Sequence, residues 1–489
     1  MNGIDIVLIN PGNRRQVYQD LGADIAGIEP PFWIAVTAAY LRNNGFSVAV
    51  IDANAENINP DEVAEKVRTI APLLAAVIVY GSQPSASTQN MTIAGKICSA
   101  LHEQTAAKVA IGGLHPSALP QQTLEEEDVD FVVDGEGPLT LKSLLTAIKT
   151  NSGRYANIPG LWYQDNGIVR HSQRAPLLED LDNMLPLAAW DLLPMGKYRA
   201  HNWHCFDDMD NRAPYGAIYT SLGCPYNCVF CCINTPFGKP GIRYRSPQLV
   251  ADEIGRLVED YGVKNIKIVD ELFVLNEQHY MTIVDLLISR GYNLNIWAYA
   301  RVDTVRPQNL ARMKQAGINW LALGIESANP EVRDSARKKM RVSDIKKIVV
   351  DIQNAGIRVI GNYIFGLPED SLETMQETLE MAMDLNCEFA NFYSAMAYPG
   401  SQLYTIARES RWELPSEWHG YSQHSYETLP LPTKYLSASD VLRFRDEAFH
   451  RYFSASRYLG MMENKFGSAV RTRIEEMSST RLKRKILCD

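Results

Sequence analysis

Twice along this chain, short β-branched runs alternate with helix-patterned segments, and that repeated alternation restricts the fold more than any other feature. Compact apolar runs at Ile4–Ile9, Val48–Ile51, Ala76–Tyr80, Val109–Ile111 and Phe131–Val133 suit strands buried on both faces. Helical patterns at Phe32–Asn44, Pro60–Thr69 and Thr88–Glu103 separate them, which predicts an α/β domain with a doubly wound parallel sheet over residues 1–150. Periodicity then fades, and residues 151–213 read as a polar linker. The alternation restarts with strands at Ala217–Thr220, Ile266–Val269, Asn295–Tyr299, Trp320–Gly324, Ile357–Phe365 and Phe389–Ser394. Its helices include one opened by Ser246-Pro247, an N-cap followed by proline at the first helical position. Parallel crossovers are right-handed, so six such units predict a (βα)6 partial barrel over residues 214–405. Residues 406–489 are aromatic-rich and read as mostly helical. A chain of 489 residues requires more than one core, in keeping with this division.

The composition narrows the function classes. With 46% hydrophobic and 21% charged residues, and no stretch near the roughly 20 apolar residues of a membrane span, it is that of a soluble globular protein. The start, MNGIDIVLIN, has an Asp in its apolar run and no basic flank, so it reads as a strand, and a cytoplasmic location follows. A net charge of −9 argues against a general nucleic-acid surface. The one basic run, Arg481 to Lys485, reads as a solvated tail.

In an open parallel sheet, ligands bind beyond the carboxyl ends of the strands. Those ends here carry small residues and prolines: Asn10-Pro11-Gly12, Gly81-Ser82-Gln83, Gly112-Gly113-Leu114-His115-Pro116 and Asp134-Gly135-Glu136-Gly137-Pro138. Such a rim lets backbone approach a large planar ligand, and the same residues also make ordinary turns.

Of the eight cysteines, four crowd into nine residues, Cys224-Pro-Tyr-Asn-Cys228-Val-Phe-Cys231-Cys232. In a reducing cytosol that clustering points to metal before disulfide. Spacings of four and three let one loop offer three thiolates. A structural zinc site would need a fourth ligand, and Cys232 and His204 are poorly placed for it. A cubane iron–sulfur cluster held by three cysteines leaves one iron open for chemistry.

This loop resembles the signature of the radical S-adenosylmethionine (SAM) superfamily, Cys-x-x-x-Cys-x-aromatic-Cys after the first strand of a partial TIM barrel, with Cys224, Cys228 and Cys231 as cluster ligands. The resemblance places Phe230 near the SAM adenine and Asp270 and Glu271, ending the second strand, near its amino group. Arg301 follows the third strand; Gly324-Ile325-Glu326-Ser327 resembles the element that approaches the methionine or ribose part of SAM. A structural salt bridge is the competing reading for Asp270, Glu271 and Arg301. Ile364-Phe365-Gly366-Leu367-Pro368 and Ala397-Tyr398-Pro399-Gly400-Ser401 resemble the fifth- and sixth-strand motifs of the same branch.

Joined to the N-terminal sheet, the chain is similar over about residues 1–405 to the cobalamin-dependent branch of that superfamily. The resemblance implies a Rossmann-like cobalamin domain whose contacts come from Asn10, Pro11, Gly12, Ser82, Gln83, Gly112, Gly113, His115, Gly135, Glu136 and Gly137. The Asp-x-His-x-x-Gly element that supplies a cobalt ligand in cobalamin mutases is missing; Asn10-Pro11-Gly12-Asn13 stands there. His115 reads as a loop histidine and not as its replacement. The implied cofactors are a [4Fe-4S] cluster, SAM and cobalamin, with an electron donor such as flavodoxin or ferredoxin. The implied activity is methylation of an unactivated carbon of a small metabolite. Competing activities are cyclisation, ring contraction or oxidation with the same cofactors, and a non-catalytic cobalamin or iron–sulfur binding protein. A methylthiotransferase is disfavoured, because that family carries three further cluster cysteines near its N-terminus and this region has only Cys98. Trp203, His204, Tyr393 and Tyr398 are expected among the substrate-pocket residues.

Overall fold

The computed structural model describes residues 3–12, 17–19, 26–81, 84–338 and 340–488. Five parallel strands, β1 (Ile6–Asn10), β2 (Val48–Asp52), β3 (Leu74–Val79), β4 (Lys108–Gly113) and β5 (Phe131–Val133), lie in the order β2-β1-β3-β4-β5. Every residue of β3 is buried, as a strand covered by helices on both faces must be. The chain leaves β1 toward β2 and later returns on the other side to β3. That reversal opens a crevice beyond the ends of β1 and β3.

The stretch read as a polar linker is built otherwise. Strands β6 (Leu161–Asp165) and β7 (Ile168–His171) form a hairpin that pairs antiparallel with β5, so the sheet has seven strands and runs past residue 150. Asn166 and Gly167 both have positive φ, +52° and +78°, as a tight two-residue hairpin turn requires. Beyond it Leu178, Leu181, Leu185, Trp190 and Tyr198 are buried, packed between the halves of the molecule.

The second sheet is parallel throughout, with β8 (Tyr215–Ile218), β11 (Asn265–Ile268), β12 (Asn295–Ala300), β13 (Ile318–Glu326), β14 (Arg358–Phe365) and β15 (Phe389–Ser394) in sequential order, the expected (βα)6 partial barrel. A short antiparallel ribbon, β9 (Ser221–Leu222) with β10 (Arg243–Tyr244), flanks the cysteine loop. Trp203 fills the barrel interior, its ring 5.2 Å from Trp297, 5.5 Å from Trp320 and 5.5 Å from Phe389.

Helices Ala438–Phe453, Ser456–Phe466 and Ser468–Ser479 close the C-terminal region, the first two tied to the chain around β15 by Tyr452 (2.6 Å to the Cys387 carbonyl) and Tyr458 (3.0 Å to Glu388). In the basic run after them Arg481, Lys483 and Lys485 are exposed, as a solvated tail would have them, but Arg484 is not. Arg484 is fully buried and donates to Asp446, Ser425 and Gln423, because a guanidinium leaves water only where such acceptors replace it. Among the described residues no helix is long and apolar enough to cross a membrane.

Candidate active site

The loop after β8 is held from both sides. Asn234 accepts from the Cys224 amide at 3.2 Å and donates to the Tyr226 carbonyl at 3.0 Å. The Val229 amide donates to Ala336 at 3.3 Å, and the Val229 carbonyl accepts from Leu403 at 2.9 Å. Phe230 packs against the apolar group that includes Ala395, Ala397 and Leu403. Cys224, Cys228 and Cys231 are free thiols, half-buried, and burial raises all three, Cys224 to about 11. Such thiols yield their protons to a metal and to little else. Among the described residues no three His, Cys, Asp or Glu side chains converge on one ion-sized point. Three thiolates on one loop could each hold a different iron of a cubane.

Around the loop stand the acidic and basic residues expected from the barrel ends, each with a defined partner or none. Asp270 accepts from the Thr220 amide and hydroxyl, both at 2.6 Å, and from Ser221, so its carboxylate fastens β11 to the entry of the cysteine loop. Glu271 makes no hydrogen bond among the described residues, and burial raises its carboxyl to about 7 against the pull of Lys267. Arg301 lies 4.0 Å over the Tyr226 ring inside the loop and pairs with Asp303 at 2.9 Å. Glu326, at φ +65°, forms a buried ion pair with Lys338. A Cβ on Gly324 would stand 2.3 Å from the Lys338 Nζ and 2.6 Å from Glu326 Oε1, so a side chain there would make the pair shift. Both charges act on the Cys228 thiol, which places the pair beside the loop. Ser327 spends its hydroxyl on Thr378 at 3.1 Å.

A cavity of about 920 Å3 joins the crevice of the first sheet to the barrel interior. The first sheet contributes Asn10, Pro11, Tyr80 and Gly81; the barrel contributes Tyr219, Lys267, Tyr299, Asn362 and Tyr393. Trp33 bridges the two, stacked on Tyr80 at 4.9 Å and edge-on to Tyr219 at 6.5 Å. The cysteines stand near the wall: Cys224 and Cys231 pack against the apolar group Leu114, Cys232 and Ile233, as does Tyr398, which itself lines the cavity. Asn54, Gln89 and Asn90 add amides to the first sheet's side, a donor and acceptor set matched to the amide arms of a corrin.

Of the residues expected to meet cobalamin, Asn10 and Pro11 line this cavity, whereas Gly12, Gly112, Gly113, His115, Gly135, Glu136 and Gly137 do not; Ser82, Gln83 and Asn13 lie outside the described residues. Gly113, at φ +135°, lets β4 close on β3, since a Cβ there would meet the Val79 carbonyl oxygen at 2.2 Å. Glu136 pairs with Arg243 at 2.7 Å, joining the two halves. His115 is buried against Trp418, and burial lowers its imidazole to about 3. Trp203, Tyr393 and Tyr398 line the cavity, while His204 is instead buried, 3.0 Å from the Asn295 carbonyl, because its neighbour Trp203 takes the inward-facing place. Sequence reasoning missed Lys338, Trp33 and the pair of Lys267 with Glu29 (2.9 Å). The lysine in the strand Asn-Ile-Lys-Ile was the one available signal, a charge in an otherwise apolar barrel strand.

Comparison with known proteins agrees with this arrangement. Residues 218–382 match the model of the Radical SAM superfamily, and residues 18–145 that of the B12 binding domain. An uncharacterised methyltransferase of Pyrococcus horikoshii is 30% identical over 424 residues, which cover 86% of this chain and 87% of that protein. The chain belongs to the cobalamin-dependent radical SAM enzymes. Its cofactors are accordingly a [4Fe-4S] cluster, SAM and cobalamin. The anaerobic magnesium-protoporphyrin IX monomethyl ester cyclase of Cereibacter sphaeroides is 26% identical over 458 residues, covering 92% of this chain and 70% of its own. The radical SAM methyltransferase TsrM from Kitasatospora setae, solved with cobalamin and a [4Fe-4S] cluster bound, shares the fold at a TM-score of 0.70 and 17% identity, covering 94% of this chain and 90% of that one.

Proposed function

We propose that this enzyme is a cytoplasmic methyltransferase that places a methyl group on an unactivated carbon of a small molecule, drawing electrons from a donor of the flavodoxin or ferredoxin type. When bound, the cluster and SAM supply a 5′-deoxyadenosyl radical and cobalamin supplies the methyl group. The observation that carries the reading is one cavity lined by the carboxyl ends of both sheets, with Tyr398 of its wall and Cys224 and Cys231 packed against the same apolar group, Leu114, Cys232 and Ile233. A substrate held there presents one carbon to both edges. Glu326 and Lys338, paired with each other beside the cysteine loop, stand where the family resemblance puts the methionine or ribose part of SAM. Phe32, Trp33 and Trp297 exclude water from the space between. Tyr219, Tyr299 and Tyr393 stay protonated, since burial raises their phenols far above the ordinary range, so they can donate hydrogen bonds without acting as bases. A relative named as a methyltransferase spans nearly the whole chain, in support of methyl transfer.

The cyclase relative favours a second reading, oxidative ring formation with the same cofactors. Anaerobic incubation of the loaded enzyme with SAM, reductant and candidate substrates separates the two. S-adenosylhomocysteine, 5′-deoxyadenosine and a product heavier by one methylene unit are expected. Radical cleavage without S-adenosylhomocysteine would transfer the case to the cyclase reading, and no SAM cleavage at all would leave a cofactor-binding protein.

A further inference from the structure

Arg445, on the helix Ala438–Phe453, lines the cavity while only 5% exposed. Its Nε donates to the Phe392 carbonyl at 2.7 Å and its Nη1 to Asp446 Oδ1 at 2.7 Å. Its Nη2 makes no hydrogen bond among the described residues. Asp446 is also claimed by the fully buried Arg484, at 2.8 Å through Nε and 2.9 Å through Nη2. Two buried guanidinium groups therefore share one carboxylate, and positive charge is left over in the wall. A buried cation without a counter-ion is costly, so a wall that keeps one is built to receive an anion.

The surroundings agree. Arg443, Arg481 and Lys483 line the same cavity, in a chain whose net charge is −9. Of its other carboxylates among the described residues, Glu29 is held by Lys267, and Glu447 is exposed like those three cations. Because the three are exposed, and Arg443 also pairs with Asp440 at 3.4 Å, they add a solvent-screened positive field at the mouth of the cavity while Arg445 supplies the buried charge. Tyr393 and His424, with side chains that make no hydrogen bond among the described residues, flank Arg445 and add neutral donors. The Tyr393 phenol lies in the fields of both Arg445 and Glu326, so this wall faces the SAM side of the cavity.

We infer that the substrate carries a carboxylate or phosphate-type oxyanion, bound by the free edge of the Arg445 guanidinium beside Tyr393 and His424. This deepens the functional reading above and rests on it for the word substrate. Lys338 is already paired with Glu326, and the first sheet's side of the cavity offers the amides of Asn10 and Asn54 and, among the described residues, no cation.

The test uses the cofactor-loaded enzyme and two probes, inorganic phosphate and benzoate, in equilibrium dialysis. Saturable binding of at least one probe is expected, weakened tenfold or more in Arg445→Met and severalfold in Arg445→Lys, which keeps the charge but loses the fork. Iron, corrinoid and SAM binding should stay at wild-type levels. No probe binding by the wild type, or equal binding by the variants, would overturn the inference. Loss of corrinoid would give Arg445 to the cobalamin phosphodiester, and loss of SAM binding to the SAM carboxylate; either result also overturns it. If Arg445→Met fails to fold, Arg445→Lys and Tyr393→Phe carry the test, and unchanged affinity in both refutes the proposal. The probe measurement stands whether or not methyl transfer is ever observed, so the two readings fail separately.

Discussion

The N-terminal half meets the shared cavity largely with amides, prolines and backbone, through Asn10, Asn54, Pro11 and Gly81 beside Tyr80, whereas the barrel meets it with a buried lysine and a cluster of phenols, through Lys267, Tyr219, Tyr299 and Tyr393 beside Asn362. Both present the carboxyl ends of parallel strands, the place where such sheets bind ligands. The contrast shows two kinds of site on one architecture. One is a shaped surface for a large preformed cofactor; the other is a charged and thiol-bearing centre that must hold and cleave a small one.

The largest expected effect tests whether the barrel centre stands alone. Cys228→Ala should drop iron from about four per chain to near none and abolish SAM cleavage, while corrinoid content stays at the wild-type level. Corrinoid lost in parallel would erase the division of labour. Next, Glu326→Gln strands the buried Lys338 charge and should cost about 3–5 kcal/mol in denaturant unfolding together with most SAM affinity. A variant of wild-type stability would show the pair to be idle.

The two edges should also answer pH in opposite directions. Glu271, raised to about 7 from 4.5, holds its proton more tightly in the folded state, so its contribution is fully present below about 4.5 and fades as pH rises through 7. His115, lowered to about 3 from 6.5, gives stability that is present above 6.5 and fades as pH falls toward 3. In thermal melts of apoprotein, Glu271→Gln should flatten the alkaline decline and His115→Gln the acidic one, each by about 1–3 kcal/mol. Identical pH profiles in variants and wild type would show that these groups do not distinguish the edges. The smallest effect belongs to Tyr198→Phe, which removes a 2.8 Å bond to the buried Asp52 and should cost about 1 kcal/mol, with corrinoid affinity the sensitive readout because Asp52 also holds Asn10 at 2.9 Å.

The same contrast explains what the sequence disclosed. In the barrel, the cysteine spacing is contiguous, and the strands Ile266–Val269 through Phe389–Ser394 stood out by their apolar runs, so the cluster loop and six units could be read directly. Lys338 could not, because twelve residues of helix and turn separate it from Glu326 and only the fold brings them together. On the N-terminal side, glycines at strand ends do not announce their purpose. Gly113 admits a neighbouring strand and Glu136 ties down Arg243, while Trp33 and Tyr80, which face the cavity, look from sequence like ordinary core. The hairpin of β6 and β7 carried a legible Asn166-Gly167 turn, masked by the polar residues of its exposed strands.

Glu29 reaches from the N-terminal half to Lys267, Glu136 to Arg243, and Arg174 to the Thr235 carbonyl. For turnover this is a matter of traffic. Parting the two halves would break these partly or wholly buried links together, whereas the rim of the chamber, where Arg443, Arg481 and Lys483 stand exposed, meets solvent without any of them breaking.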